Sequence, residues 1–253
     1  MTAITVRPQR HDAVLFDLDG VLTDTASVHC AAWKRLFDHY LAARAGHHEP
    51  FTTADYLDHV DGKPRADGVL DFLRSRRIEL PRGAPSDRSD AETAVGLGKR
   101  KDRYFRDALA TGGARVFDGA IGLLVSLWEA HLRIAVVSAS RNCALVLESA
   151  GLTGLVDVVV DGVVADELGL PGKPDPATFL EAARRCGCRP SRSAVVEDSS
   201  AGVRAARAGG FGLVIGVARV AAPHDLRDVG ADVVARSLCE ISVTTSGRPW
   251  RDG

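Results

Sequence analysis

Short apolar runs alternate with amphipathic stretches through the second half of the chain. The runs that predict strands lie at 134–137, 156–160, 193–196, 213–215 and 232–234. Helical spacing of apolar residues between them predicts helices at 143–149, 177–185 and 201–208. Because strands that alternate with helices form parallel sheets covered on both faces, we expect an α/β fold with a mainly parallel sheet.

The first half of the chain has a different pattern, in which one strand is followed by mostly helical sequence. Residues 13–16 form an apolar run that predicts a short buried strand. Beyond it, Trp33, Leu36, Phe37 and Tyr40 recur at helical spacing, which predicts a helix with a buried face. Further helical stretches lie at 69–76 and 99–109, separated by a loop rich in Pro, Gly, Ser and Asp.

This arrangement predicts two domains of unequal size. We expect a Rossmann-like core formed by residues 12–25 and 114–243, with a helical cap, residues 26–113, inserted after the first strand. The polar residues 1–11 are predicted to be a flexible leader, and residues 244–253 a polar tail.

Composition and charge narrow the class of partner. The net charge of −1 gives no global field to attract nucleic acid or an anionic membrane, and no signal-peptide core or membrane span is evident. The five cysteines are odd in number and lack Cys-x-x-Cys spacing, which argues against a disulfide framework or a zinc site and fits a reducing cytoplasm. We expect a cytoplasmic, monomeric protein with a small-molecule substrate.

The strand at 13–16 ends in two carboxylates, Asp17 and Asp19, followed by Gly20. Burying a carboxylate is costly unless it is paired or metal-bound, and nearby like charges resist ionising together. A divalent cation such as Mg²⁺ resolves both problems, and the carboxyl end of a parallel strand is where open α/β sheets bind ligands. A carboxylate can also attack phosphorus. The alternative is a strand followed by an ordinary Asp-Gly turn.

Three later stretches also follow predicted strands or lie in a loop between them. Small polar residues from Ser138 to Asn142 suit a phosphate, or simply cap the next helix. Lys173, in a proline-rich loop, could neutralise a phosphoryl oxygen or be exposed. Glu197 and Asp198 form a second acidic pair, which could equally be an acidic helix N-terminus.

Together these stretches resemble, in order and placement, the four motifs of the haloacid dehalogenase-like superfamily of phosphotransferases. The resemblance implies that Asp17 is the nucleophile, that Asp19 is the general acid/base, and that Ser138 and Lys173 hold the transferring phosphoryl group. The Mg²⁺ ligands that it implies are Asp17, Asp19 through its main-chain carbonyl, Asp198 and, beside it in the acidic cluster, Glu197.

The predicted cap resembles that of the β-phosphoglucomutase family within this superfamily. The resemblance implies substrate-side residues in both domains: Thr25, His29, Trp33, Gly62, Arg65, Lys101, Ala139, Ser140, Arg141 and Asn142. Core packing is the alternative role for Trp33, and plain surface charge the alternative for Arg65. Arg141 stands where the family usually has lysine, and the loop at 79–98 is longer than in compact members.

The resemblance implies Mg²⁺-dependent interconversion of β-glucose 1-phosphate and glucose 6-phosphate through a bisphosphate. Arg65 and Lys101 would supply the second anion site that a retained bisphosphate needs. The alternative is a sugar-phosphate phosphatase, which no core residue distinguishes from a mutase. A dehalogenase would not need Asp19 with Glu197 and Asp198, a phosphonatase normally lacks the second acid of the first motif, and a catalytically inactive binding module is disfavoured because no motif residue is missing.

Overall fold

The computed structural model describes residues 4–46, 48–60, 63, 65–218 and 226–244. The chain divides into two units, Met1–Thr25 with Ala114–Gly253, and Ala26–Gly113. We refer to them as the sheet unit and the helical unit. The limits of the helical unit coincide with those that the sequence predicts for an inserted cap.

Eight strands, numbered in chain order, belong to the sheet unit. They are β1 (Ile4–Val6), β2 (Ala13–Phe16), β3 (Arg133–Val137), β4 (Val158–Val160), β5 (Ser193–Glu197), β6 (Leu213–Val217), β7 (Val233–Ala235) and β8 (Ile241–Val243). Six of them form one parallel sheet in the order β4-β3-β2-β5-β6-β7. The predicted α/β fold with a mainly parallel sheet is confirmed.

The helical unit contains most of the first half of the chain. Its helices are α1 (Thr25–Ala42, whose first residue belongs to the sheet unit), α2 (Thr53–Asp55), α3 (Arg65–Ser75) and α4 (Ala94–Gly112), with a π-helical turn at Tyr56–Val60. The predicted stripe on α1 is buried against an aromatic cluster, in which the Phe37 and Phe72 rings lie 4.2 Å apart. Trp33 belongs to this core, as the packing alternative predicts.

The loop before α4 is tied down by its own polar groups. Thr93 caps α4 by accepting a hydrogen bond from the Gly96 N–H at 3.0 Å, and it donates to Asp87 at 2.7 Å. The Lys99 ammonium donates to the carbonyls of Pro85 and Asp87 at 2.6 and 2.7 Å. One lysine side chain of α4 thus provides hydrogen bonds for two carbonyl groups of the loop.

Helices cover the faces of the six-stranded sheet. They are α5 (Ala120–Glu129), α6 (Cys143–Ser149), α7 (Gly162–Leu168), α8 (Ala177–Arg185) and α9 (Ser200–Ala208), with 3₁₀ turns at Thr153–Leu155, Pro190–Arg192 and Leu238–Glu240. All four residues of β2 are buried, as expected for a central strand covered on both faces. No helix among the described residues is long and apolar enough to cross a membrane.

Strands β1 and β8 and helix α7 are among the elements that lie outside the predicted pattern. Ile4–Val6, within the predicted flexible leader, pairs in parallel with Ile241–Val243, and the Thr244 N–H donates to the Val6 carbonyl at 3.1 Å. This part of the leader is therefore a strand and not a loose segment, because its backbone groups are satisfied by the far end of the chain. Helix α7 is also absent from the predicted elements. The tail from residue 245 lies outside the described residues.

Candidate active site

The register of the sheet brings the ends of its central strands together. Phe16 of β2 aligns with Val136 of β3 and with Val196 of β5. The residues that follow, Asp17 and Glu197, therefore reach the same edge of the sheet from neighbouring strands. This is the carboxyl edge, where open α/β sheets bind ligands.

A buried lysine bridges these two carboxylates. Lys173 Nζ lies 2.5 Å from Asp17 Oδ1 and 2.5 Å from Glu197 Oε1, and the side chains of Lys173, Asp17 and Glu197 are 13%, 12% and 1% exposed. Lys173 also lies over the Phe179 ring, 4.8 Å from its centroid. Removing three charges from water is compensated here by two charge-assisted contacts to one ammonium.

Glu197 is held on its other side by the start of α9. Ser199 donates to Glu197 Oε2 from its N–H at 2.8 Å and from its hydroxyl at 2.9 Å. A Cβ at Gly202 would lie only 1.8 Å from Glu197 Oε1, so the carboxylate needs a glycine there. Lys173 and Ser199 engage both oxygens of Glu197. These contacts favour a role for Glu197 in positioning Lys173, and they disfavour the metal-ligand role that the sequence predicts for it.

Two hydroxyl groups hold the second acid of the first motif. Thr25 Oγ1 donates to Asp19 Oδ1, and Ser138 Oγ donates to Asp19 Oδ2 at 3.2 Å. Thr25 is buried at the first position of α1, and Ser138 follows the end of β3. The structure thus brings Asp19, Thr25 and Ser138 together, three residues that the sequence assigns to the site.

The loop after Ser138 is closed by side-chain hydrogen bonds. The Ser140 N–H donates to Ser138 Oγ at 3.1 Å, and the Asn142 N–H donates to Ser140 Oγ at 3.2 Å. These contacts lead the chain from β3 into α6. They combine the two alternatives for this stretch, since the serines order the loop and also place its polar groups at the carboxyl edge of the sheet.

The fourth motif meets the first at Gly20. This glycine has φ of +91°, and a Cβ on it would lie 1.9 Å from Asp198 Oδ2. Glycine is therefore required both for its conformation and for the close approach of the Asp198 carboxylate. Asp198 also lies close enough to Asp17 for its charge to contribute to raising the pKa of Asp17.

The carboxylates outnumber the one lysine among them. Burial, with the charges of Glu197, Asp198 and Asp19, raises the pKa of Asp17 well above its usual value despite the opposing charge of Lys173. Burial and Glu197 raise the pKa of Asp198 to about 7. Burial would lower the pKa of Lys173, but its attraction to Asp17 and Glu197 outweighs this and raises it. A further cation would relieve the repulsion.

The donor set would suit Mg²⁺ if water and substrate completed the coordination. No group of three His, Cys, Asp or Glu residues that could hold a metal ion occurs in the described part of the chain. Mg²⁺ is commonly bound through one or two carboxylates, substrate phosphates and several waters, so a full protein cage is not required. Asp17 and Asp198 supply two such carboxylates.

A second buried lysine lies in the helical unit. Lys101 Nζ of α4 donates to His29 Nδ1 of α1 at 2.5 Å, and its side chain belongs to a residue only 3% exposed. It lies 5.1 Å from the Trp33 centroid and 4.9 Å from that of Phe105, on which His29 stacks. Burial, Lys101 and Arg65 lower the pKa of His29 well below its usual value, so the imidazole is neutral and accepts the hydrogen bond.

Arg65 is paired within the same unit. Its guanidinium lies 3.1 Å from Asp102 Oδ1, and Asp102 also pairs with Arg106 at 3.1 Å. No local pattern pairs Arg65 with Asp102 or His29 with Phe105, because each of these contacts joins helices that are distant in the chain. Gly62, which the sequence also assigns to the site, lies outside the described residues.

The remaining predicted substrate-side residues lie between β3 and α6. Arg141 Nη1 donates to Asp166 Oδ2 of α7. Asn142 is buried immediately before α6, and the Ala139 carbonyl faces Gly162, where a Cβ would lie 2.6 Å from its oxygen. No local pattern in the sequence indicates this contact between Arg141 and Asp166.

The amino-acid sequence is similar to one protein-family model and to several known proteins. A family model described as haloacid dehalogenase-like hydrolase matches residues 11–210. The chain is 48% identical over 242 residues to a β-phosphoglucomutase of Mycobacterium bovis, with 92% of each chain covered. It is 29% identical over 234 residues to validoxylamine A 7′-phosphate phosphatase of Streptomyces hygroscopicus subsp. limoneus, covering 91% of this chain and 96% of the relative.

The fold has relatives among solved structures. The crystal structure of β-phosphoglucomutase from Clostridium difficile matches with a TM-score of 0.68 at 24% identity, covering 90% of this chain and 92% of the other. At this identity, the similarity shows a shared fold and nothing more. The family match and the 48% identical relative go further, and they show that this chain is an enzyme belonging to the haloacid dehalogenase-like hydrolase family.

Proposed function

We propose that this enzyme is a Mg²⁺-dependent phosphotransferase that interconverts β-glucose 1-phosphate and glucose 6-phosphate through a bisphosphate. The 48% identical relative is named for this activity. The observation that carries the proposal is a second buried lysine, Lys101, in addition to Lys173. A bisphosphate intermediate needs cationic groups for two phosphates, whereas a phosphate monoester needs them for one.

Asp17 is the nucleophile in this proposal. Lys173 holds Asp17 Oδ1, which fixes the carboxylate and leaves attack on phosphorus to Oδ2. The P–O bond to the leaving sugar breaks as the bond to Asp17 forms, giving an aspartyl phosphate. Lys173 also offsets the charge that accumulates on the phosphoryl oxygens.

Asp19 moves the proton. The hydroxyls of Thr25 and Ser138 fix its carboxyl group, so its orientation does not depend on the substrate. Asp19 gives a proton to the leaving sugar oxygen and takes one from the sugar hydroxyl that attacks the aspartyl phosphate in the next step. The two steps together return Asp17 to its carboxylate form.

The residues that would hold Mg²⁺ are Asp17 and Asp198, with the main-chain carbonyl of Asp19. Bound there, the cation supplies neutralisation of charge on the phosphoryl oxygens and the two carboxylates. Glu197 does not bind the cation in this proposal. It holds Lys173, which also donates to Asp17.

The far phosphate of the bisphosphate is assigned to Arg65 and Lys101. His29 accepts a hydrogen bond from Lys101 as a neutral partner, so this contact adds no negative charge that would compete with an anion. Arg65 already binds a carboxylate, Asp102, which a phosphate would have to replace or share.

Sugar-phosphate hydrolysis is the competing function, and a specific relative favours it. Validoxylamine A 7′-phosphate phosphatase matches this chain over nearly its whole length. It is named for hydrolysis of a phosphate ester. In that case water, and not a sugar hydroxyl, would attack the aspartyl phosphate.

One incubation separates the two functions. The enzyme is given β-glucose 1-phosphate, Mg²⁺ and a trace of β-glucose 1,6-bisphosphate, and both glucose 6-phosphate and free phosphate are followed. A mutase forms glucose 6-phosphate much faster than phosphate. If phosphate release dominates, the mutase assignment fails and the phosphatase replaces it.

The far-phosphate site is tested by Arg65→Ala. This variant should lose isomerisation far more than it loses hydrolysis of acetyl phosphate, which has no second phosphate. Arg82→Ala is the matched control, since Arg82 lies in the same unit and pairs with an aspartate, Asp67, at 2.6 Å. Equal losses of both activities in Arg65→Ala would mean that Arg65 is structural.

A further inference from the structure

A tight turn after the first motif returns the chain to Asp19. The Leu18 carbonyl accepts hydrogen bonds from the N–H groups of Leu22 and Thr23 at 3.0 and 2.9 Å, and the Gly20 N–H donates to the Thr23 carbonyl at 2.8 Å. The backbones of Asp19 and Thr23 also form a β-bridge. The turn therefore fixes Thr23 beside the second acid of the first motif, within the sheet unit.

The side chain of Thr23 begins a line of hydroxyl groups that ends at Asp19. Thr23 Oγ1 lies 3.3 Å from Thr25 Oγ1, and Thr25 Oγ1 donates to Asp19 Oδ1. Both threonines are 0% exposed, so solvent does not reach their hydroxyl groups. The hydrogen bonds of these hydroxyls are therefore made within the protein, where an unmade one is costly.

The direction of this line follows from the number of protons and lone pairs. Thr23 Oγ1 can also donate to the Leu18 carbonyl at 3.2 Å, but the two N–H groups of the turn already use both lone pairs of that oxygen. A hydroxyl has one proton, and that of Thr25 is used at Asp19. The proton of Thr23 is therefore better used in a hydrogen bond to Thr25 Oγ1.

We propose that Thr23 is a positioning residue, which orients the Thr25 hydroxyl and through it the Asp19 carboxyl group. This inference rests on the function proposed above, in which Asp19 moves a proton to and from the sugar. A hydroxyl that accepts one hydrogen bond is polarised to donate the next more strongly. Thr23 thus keeps the Thr25 proton directed at Asp19 Oδ1 as substrate binds and product leaves.

The experiment removes the Thr23 hydroxyl and compares two phosphoryl donors. Thr23→Val keeps the branched shape of the side chain, and Thr23→Ser keeps the hydroxyl. One donor is β-glucose 1-phosphate with a trace of the 1,6-bisphosphate, whose turnover needs proton transfer by Asp19, and the other is acetyl phosphate, whose leaving group needs no proton. Sugar turnover is measured as glucose 6-phosphate plus free phosphate, so that mutase and phosphatase activities are both counted.

The expected loss is confined to the sugar donor. Thr23→Val should lower kcat for the sugar phosphate about three- to tenfold, the scale of one neutral hydrogen bond, and leave its KM unchanged. The value of kcat/KM for acetyl phosphate should stay that of the wild type, which also shows that the variant is folded. Thr23→Ser should restore kcat.

Thr178→Val is the matched control. Thr178 is 7% exposed in the same unit, and its hydroxyl has no hydrogen-bond partner within the described part of the chain. Removing this hydroxyl should change neither donor. A double-mutant cycle then shows whether Thr23 acts through Thr25, since Thr25→Val should lower sugar turnover and adding Thr23→Val should cause no further change.

Equal losses with both donors in Thr23→Val would overturn the inference, because Thr23 would then only support the fold. Unchanged sugar turnover in Thr23→Val, failure of Thr23→Ser to restore it, or a further loss when Thr23→Val is added to Thr25→Val would do the same. So would an equal selective loss in Thr178→Val.

Asp19→Ala, measured in parallel, separates failure of this inference from failure of the proposed function. If Asp19→Ala slows both donors equally, the acid/base role of Asp19 fails and the inference fails with it. If Asp19→Ala is selective for the sugar donor and Thr23→Val is not, the inference alone fails. The ratio of glucose 6-phosphate to phosphate formed by the wild type decides between mutase and phosphatase without affecting either result.

Discussion

The two units each bury a lysine, and they stabilise it in different ways. Lys173 of the sheet unit lies between two carboxylates, each 2.5 Å away. Lys101 of the helical unit contacts a neutral imidazole and the faces of two aromatic rings. Carboxylates cancel the charge of an ammonium, whereas an imidazole and aromatic faces stabilise it and leave its charge in place.

This difference separates orienting a nucleophile from attracting an anion. A lysine with two permanent carboxylate partners fixes the position of Asp17 and Glu197 before substrate arrives. The imidazole and the two aromatic rings beside Lys101 do not compete with an incoming phosphate for its charge. Substitutions in the two units test this contrast.

The largest effect is expected for Asp17→Asn. The variant removes the attacking carboxylate but keeps its size, so the fold should persist while turnover falls by at least about a thousandfold. Turnover of acetyl phosphate and of sugar phosphate by the purified variant is the measurement. Substantial residual activity with both donors would rule out an aspartyl-phosphate mechanism.

The next largest effect compares the lysines directly. Lys173→Met leaves Asp17 and Glu197 buried without their shared cation, which should lower the free energy of unfolding by about 3–5 kcal/mol at neutral pH. Lys101→Met removes a hydrogen bond to neutral His29 and two cation–π contacts but strands neither Asp17 nor Glu197, and it should cost only about 1–2 kcal/mol. Denaturant unfolding of both variants provides the test, and comparable losses would remove the distinction between the two sites.

A smaller effect is expected at Asp19, which lies beside the Lys173 group but is held by hydroxyls. Asp19→Ala should slow transfer to and from sugars about a hundredfold, because the proton transfer is lost. Phosphorylation of Asp17 by acetyl phosphate, whose leaving group needs no proton, should suffer less. Equal losses with both donors would assign Asp19 mainly to metal binding or structure.

The smallest expected effect is the pH dependence of stability that arises from His29, the hydrogen-bond partner of Lys101. Because the folded protein lowers the pKa of His29 from 6.5, the unfolded state binds a proton more readily and stability falls as pH drops below this value. The contribution has a slope of up to about 1.4 kcal/mol per pH unit. His29→Gln should lose this component, so its unfolding free energy should depend less on pH than that of the wild type between about pH 6.5 and 5.

The sheet was predictable because each of its strands is a local apolar run, and the strands of the parallel sheet from β2 to β7 lie within or beside the predicted segments. Strand β1 was not, since three residues carry little pattern and its partner β8 lies at the other end of the chain. Helix α7 is also too short for helical spacing to be distinctive.

The residue types of the site were predictable, but their pairings were not. Two acids at the end of a strand do not show that Glu197 is bonded by Lys173 and Ser199. Similarly, nothing near Arg141 in the sequence indicates Asp166, because the partner lies on a later helix that only the fold brings close. Such contacts depend on tertiary packing and not on local pattern.

Gly202 carries a consequence for how this enzyme could lose its activity. In an exposed helix interior, alanine is more favourable than glycine by about 1 kcal/mol, so local folding preference favours the replacement. Here the added methyl carbon would lie 1.8 Å from Glu197 Oε1, far closer than atoms that are not bonded to each other can approach, and it would force that carboxylate off Lys173. A protein with alanine at 202 would keep every charged and hydroxyl group of its four motifs, gain a better helix and lose the geometry that orients its nucleophile. An inactive relative of this kind would differ from the active enzyme by one methyl group at position 202. A comparison of the catalytic acids and the lysine alone would not reveal that difference.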